Sequence, residues 1–85
     1  MAYFVYILKS DKNGRYYTGS AQEVEARLAE HNRGSEISTK AHRPWSVVYT
    51  EAFETRAEAN RRERQIKSMK SRKWIEEKLL NKPGS

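Results

Sequence analysis

Residues 3–19 read YFVYILKSDKNGRYYTG, and the pairing of this stretch with itself decides the fold. Tyr3 to Lys9 is rich in aromatic and β-branched residues, which fit a pleated strand. Both parities are apolar: Tyr3, Val5 and Ile7 on one face, Phe4, Tyr6 and Leu8 on the other. A strand of that kind is expected to be covered on both faces. SDKNG is a turn, with Asn13-Gly14 suited to positive φ. RYYTG is then the return strand of a hairpin. An even-numbered loop makes paired positions sum to an odd number, so Tyr6 and Tyr17 fall on the same face. With a four-residue loop at Asp11–Gly14, Tyr6 stands opposite Gly19 and diagonal to Tyr17. Gly19 leaves open space beside the two rings.

Next along the chain, Ser20 and Glu23 have the spacing of a capping box, so the first helix is expected to open at Ser20. It should run to about Arg33 and stop at Gly34. Arg27 and His31 are four residues apart and lie one above the other on that helix. Val24 and Leu28 mark its apolar stripe, so the pair sits at the edge of the buried face, away from Glu23, Glu25 and Glu30. A helix lining a site would need that arrangement. GSEISTKAHRP reads as an ordered or semi-ordered polar loop and WSVVYTEAF as a third strand. Thr55 and Glu58 form a second capping box, opening a helix from Arg56 to about Met69. Ser71 can cap a last helix carrying Trp74, Ile75 and Leu79. The expected class is α+β, a small three-stranded antiparallel sheet flanked by helices in the order β-β-α-β-α-α. One domain is expected over residues 1–80, with 81–85 a disordered tail.

The 85 residues include no cysteine, which removes disulfides and thiolate metal sites and is compatible with a reducing compartment. Two histidines, His31 and His42, do not make a structural zinc site. No apolar run approaches the roughly 20 residues of a membrane helix, and the N-terminus does not read as a signal peptide. A cytoplasmic location and no membrane partner are expected. The net charge of +6 points to a polyanion, nucleic acid first. Seven basic residues and one acidic residue, Glu63, lie between Arg61 and Lys73. A solvated basic face is the plain alternative.

Glu63 shares a helix face with Ala59 and Ile66, so this carboxylate tends toward the apolar side. There it needs a partner, a proton or a metal. An ion pair with Arg27 or an arginine of its own helix, and metal binding, are both open. Tyr6, Tyr17, Arg27, His31 and Glu63 together suit phosphodiester hydrolysis. A lone carboxylate can hold one Mg²⁺ that keeps most of its waters, and the metal polarises the phosphate. An arginine can grip phosphate oxygens in a fork. A histidine or tyrosine can move the water's proton, the tyrosine only with positive charge nearby.

These residues resemble the GIY-YIG nucleases. The first motif reads Phe4-Val5-Tyr6, the second Tyr17-Thr18-Gly19. The Arg-(three residues)-His pattern is RLAEH, Arg27 to His31, and NRRERQIK places the metal glutamate at Glu63. The resemblance runs from Tyr3 to about Leu80 and is closest to small stand-alone bacterial members. Two positions depart: Phe4 stands where the first motif usually has glycine, and SRKWIEEKL lacks an asparagine that many members carry. The resemblance implies the nuclease fold and a metal-dependent DNA endonuclease. Tyr6 would be the preferred general base, with His31 moving the proton or contacting phosphate. Tyr17 would orient the phosphate or the hydrated metal, Arg27 would stabilise the transition state, and Glu63 would hold Mg²⁺ or Mn²⁺.

DNA backbone contacts are expected from Lys40 and His42 in the polar loop, and from Arg61, Arg64, Lys67 and Lys70, with a hydroxyl from Thr39. Selection should be by shape, for single-stranded, branched or damaged DNA, with weak sequence readout. Repair, recombination and processing of incoming DNA are the settings considered, and a monomer or weak dimer is expected. Two other classes compete: a non-catalytic nucleic-acid-binding module that keeps the nuclease fold, and an adaptor whose basic helix binds an acidic protein. A retired nuclease should have lost one of the five residues, and none is lost.

Overall fold

A computed structural model of the protein describes residues 2–80, so the expected tail at 81–85 lies outside the described residues. Strand β1 (Tyr3–Ser10) is the middle of a three-stranded antiparallel sheet, flanked by β2 (Tyr16–Ala21) and β3 (Trp45–Phe53). Helix α1 (Val24–Arg33) and a short α2 (Ile37–Lys40) lie between β2 and β3. Helix α3 (Arg56–Met69) follows β3, and α4 (Arg72–Trp74) continues as a wider π-helical turn, Ile75–Leu80.

The two apolar parities of β1 build two cores. Val5 and Ile7 pack with Ala59 and Ile66 of α3 and with Ile75 and Leu79 of the C-terminal turn. Tyr6 and Leu8 pack with Trp45, and Val24 and Leu28 of α1 cover them. Val5, Ile7 and Leu8 are fully shielded. Each such side chain contributes roughly 1.5–3 kcal/mol by leaving water, so the central strand anchors both layers.

The hairpin has the expected register. Ser10 and Arg15 close a four-residue loop, and Gly14 takes positive φ at its end. Tyr6 is opposite Gly19 and Leu8 opposite Tyr17. The same register carries the ladder on through Val5↔Ser20 and Phe4↔Ala21. Ser20 therefore lies in the sheet and does not cap α1, correcting the expected capping box. The helix opens later, at Val24, with Glu23 in the cap position and no side-chain cap. Extension of the ladder offers several backbone hydrogen bonds and wins over a single side-chain cap.

The other boundaries follow from local chemistry. Gly34 ends α1 with φ +87 and donates its N–H to His31. Thr55 and Glu58 form the second capping box in full. Ser71 accepts the Trp74 N–H at the start of α4. The polar loop is ordered, and the short helix α2 forms within it. A bulge between Ile7 and Leu8 on the β3 side leaves Val48 without a partner.

Candidate active site

The site lies along the outer edge of β2, where side chains from both layers meet. Tyr6 and Tyr17 project on the α1 face of the hairpin, with ring centroids 6.5 Å apart. They come this close because the residue between them on that face is glycine. A Cβ on Gly19 would stand 2.6 Å from the Tyr6 hydroxyl and 3.2 Å from the Tyr17 ring. From α1, His31 descends onto the pair and is completely buried. Its Nε2 is 3.3 Å from the Tyr6 hydroxyl, and its ring centroid is 4.8 Å from that of Tyr17. Its Nδ1 is 2.9 Å from Thr39 Oγ1.

Arg27, one turn before His31, is half-buried. Its guanidinium donates to Glu30 at 2.6 Å and reaches Glu36 at 3.4 Å. It also lies close enough to the Tyr6 hydroxyl to favour the phenolate. Burial is the larger effect on Tyr6 and holds its pKa above the usual 10.0, while Arg27 pulls the other way. Without a substrate, Tyr6 is therefore protonated at neutral pH.

Burial also pushes His31 below its ordinary 6.5, and the Arg27 charge adds to the effect, against the opposing carboxylates Glu30 and Glu36. His31 is thus a neutral imidazole at pH 7, able to accept a proton. The sign for stability follows. The unfolded chain binds a proton on this histidine more readily than the folded one, so stability is greatest above about pH 6.5 and falls as pH drops toward the lower folded value. Urea unfolding at pH 7.5 and 5.5 should show a loss in the wild type that is smaller in His31→Gln. An equal loss in both would mean that other groups carry the pH dependence.

Glu63 enters from α3, on the opposite face of the sheet. Ser20, brought there by the extended β2, donates its hydroxyl to Glu63 Oε1 at 2.7 Å. Lys67 holds Oε2 at 2.7 Å and lies 5.9 Å from the centroid of the Tyr17 ring. Glu63 and Lys67 thus reach around the β2 edge toward the tyrosines. The ion pair weighed for Glu63 exists, but its partner is neither Arg27 nor an arginine of α3. Lys67 is half exposed, and a solvated pair of this kind contributes little to stability.

The donor set fits a hydrated divalent cation. Among the described residues no group of three or more His, Cys, Asp or Glu side chains could enclose a metal. One carboxylate beside the Ser20 hydroxyl and the Asn60 amide oxygen, 3.1 Å from it, offers only hard oxygen donors. That suits Mg²⁺ or Mn²⁺, which bind few protein ligands and keep several waters, and not zinc.

The expected DNA contacts divide. Lys67 and Lys70 line a cavity of about 450 Å³ with Tyr17, Arg15 and Arg72, next to the cluster. Arg64 is exposed. Arg61 is exposed too, but two residues from Glu63 places it about 200° around the helix, turned away from the cleft. Lys40 is exposed, and His42 bonds to Asn13 at 2.8 Å beside the hairpin turn. Thr39 is a correction. It is 1% exposed and its hydroxyl is engaged with His31, so it presents nothing to DNA.

Sequence reasoning missed Ser20, Thr39 in its actual place, and the pair Glu30 and Glu36 that hold Arg27. Ser20 was within reach, since the hairpin register applied to its end already pairs it with Val5. Glu30 was within reach too, three residues past Arg27 on the same helix, whereas Glu36 and Thr39 depend on contacts across a loop that no spacing announces.

Among the described residues no helix is long and apolar enough to cross a membrane. A family model described as the GIY-YIG catalytic domain matches residues 2–78. A UPF0213 protein of Staphylococcus aureus is 45% identical over 75 residues, covering 87% of this chain and 90% of that protein. The solution NMR structure of a UPF0213 protein from Bacillus halodurans is similar with a TM-score of 0.56 and 35% identity, covering 91% of this chain and 81% of that one.

Proposed function

Because the chain belongs to the GIY-YIG family, we propose that it is a metal-dependent DNA endonuclease whose reaction centre is the cluster of Tyr6, Tyr17, Arg27, His31 and Glu63. The observation that supports this most is the chain of contacts in the cluster. A protonated phenol lies 3.3 Å from a neutral imidazole nitrogen, beside a guanidinium, with a carboxylate at the same strand edge. A purely structural core has no need for that combination.

The chemistry follows from these groups. An attacking water gives a proton to the Tyr6 oxygen as the phenolic proton passes to His31 Nε2. The water oxygen bonds to phosphorus, and the bond to the leaving sugar oxygen breaks. The Arg27 charge favours the Tyr6 phenolate and so stabilises both its transient form and the charge growing on the phosphoryl oxygens. Tyr17, tilted against His31 and under Lys67, orients the phosphate from the open side of the cleft. Held at Glu63, a hydrated Mg²⁺ or Mn²⁺ would polarise the phosphoryl group and neutralise the leaving oxygen. Lys67 and Lys70 meet the backbone and not base edges. Selection is therefore for single-stranded, branched or damaged DNA, with weak sequence readout. Repair, recombination or processing of incoming DNA in the cytoplasm would use such an activity.

The test is cleavage of labelled single-stranded, duplex, flap and four-way-junction DNAs with Mg²⁺, Mn²⁺ or EDTA. Metal-dependent cutting is expected, strongest on one of the non-duplex shapes. Binding without cutting on every substrate in either metal would overturn the reading in favour of a non-catalytic module. In the same assay Arg27→Ala should lower kcat by about 10²–10³-fold with KM changed only a few-fold, since the charge it meets develops in the transition state. A matched loss in both would make Arg27 a docking cation.

A further inference from the structure

We propose that Thr39 is a positioning residue that fixes the tautomer of His31, keeping the proton on Nδ1 and leaving Nε2 open toward Tyr6. The hydrogen-bond directions carry this. A guanidinium has donors only, so the Tyr6 hydroxyl proton cannot point at Arg27. It points at the hydroxyl's hydrogen-bond partner, His31 Nε2, 3.3 Å away. A neutral imidazole that accepts at Nε2 must carry its proton on Nδ1. Nδ1 then donates to Thr39 Oγ1 at 2.9 Å, and the Thr39 hydroxyl turns its own proton to the Glu36 carbonyl, 3.4 Å away. Every proton in the chain has an acceptor. In the reverse order His31 Nε2 would donate to Tyr6, and the phenolic proton of a buried tyrosine would lose the acceptor shown for it among the described residues.

Thr39 is itself held from behind. The indole N–H of buried Trp45 donates to the Thr39 carbonyl at 3.0 Å. Asn32, next to His31 on α1, grips the Trp45 backbone at both its N–H and its carbonyl. The segment between α1 and β3 is thus a strap, pinned at Trp45, that sets one hydroxyl against one imidazole nitrogen. Thr39 touches no reacting atom and acts through His31. Its consequence for turnover rests on the nuclease reading, whereas the tautomer does not.

The test is a long-range proton–nitrogen NMR spectrum of the full chain with ¹⁵N-labelled histidine at pH 7.5, with His31 identified by its absence in His31→Gln. The wild type should show a protonated Nδ1 and a bare Nε2. Thr39→Val, nearly the same shape without the hydroxyl, should lose that fixed pattern. Its kcat should fall roughly 10–100-fold with little change in KM, as when the orienting partner of a functional histidine is lost. Thr39→Ser should restore both. A wild-type His31 protonated on Nε2 overturns the proposal, as does a Thr39→Val protein that keeps both the pattern and the turnover. If Thr39→Val does not fold, the wild-type and Thr39→Ser spectra decide. If the wild type cuts no DNA, the nuclease reading fails while the spectra still judge the tautomer.

Discussion

Glu63→Ala should abolish cleavage, with a loss of at least about 10²–10³-fold, while DNA binding stays equal or tightens. The carboxylate is the one acidic group of the cluster that combines partial burial with a position at the β2 edge. Its removal takes away the carboxylate proposed to hold the metal. It also frees Lys67, now paired with Oε2, and raises the formal charge of +6 by one. Both changes favour phosphate contact, so binding should become more salt-dependent. The fold should survive, because the side chain belongs to neither core and its ion pair is solvated. Glu63→Gln keeps a partner for Ser20 but not the charge, and should be equally inactive. Cleavage rates, DNA titrations at several salt concentrations and thermal unfolding would be measured together. Loss of binding in step with loss of folding would overturn the role given to Glu63.

Gly19→Ala should be nearly as damaging to activity, by about 10²-fold, although it deletes no functional group. The added Cβ would lie 2.6 Å from the Tyr6 hydroxyl and 2.7 Å from its ring carbon. Tyr6 is 1% exposed, between β1 neighbours and His31, so its ring cannot swing aside freely. The phenol must move off Nε2 or the hairpin must open. Overpacking of this kind costs about 1–3 kcal/mol, so a folded but less stable protein is expected. The diagnostic readout is its His31 spectrum, in which the Tyr6 contact should be altered. Full activity with an unchanged spectrum would mean that the glycine matters only for sheet packing.

Much of the fold was legible because its signals are local. The two-sided apolar pattern of β1 foretold two cores, and Val5 and Tyr6 lie in different ones. The loop parity foretold Tyr6 opposite Gly19. Thr55 with Glu58, Gly34 and Ser71 each marked a helix end by a hydrogen bond or a φ value available to no better residue nearby. The expectation failed at Ser20, where two local signals competed. The capping box was satisfied in sequence, but the ladder with Val5 reached the same residue first.

The candidate site was legible to a different depth. Residue types and spacing singled out Tyr6, Tyr17, Arg27, His31 and Glu63, because helix and strand periodicities project them from their elements in a computable direction. The same helix period also ranks the surface cations, since Lys67 lies one turn from Glu63 and Arg61 about 200° around from it, although both were expected against DNA alike.

What the sequence by itself determined is the order of elements, the hairpin register and the identity of the chemical groups, all set by interactions within about four residues or across one turn. Only the tertiary structure decided which partners come from elsewhere in the chain: Ser20 on Glu63, Glu36 on Arg27, Thr39 on His31. These partners lie on different segments, and their meeting depends on how the helices and the loop after α1 seat against the sheet. Burial then moves His31 below and Tyr6 above their ordinary pKa values, since desolvation is a property of the packed layers and not of any residue's place in the chain.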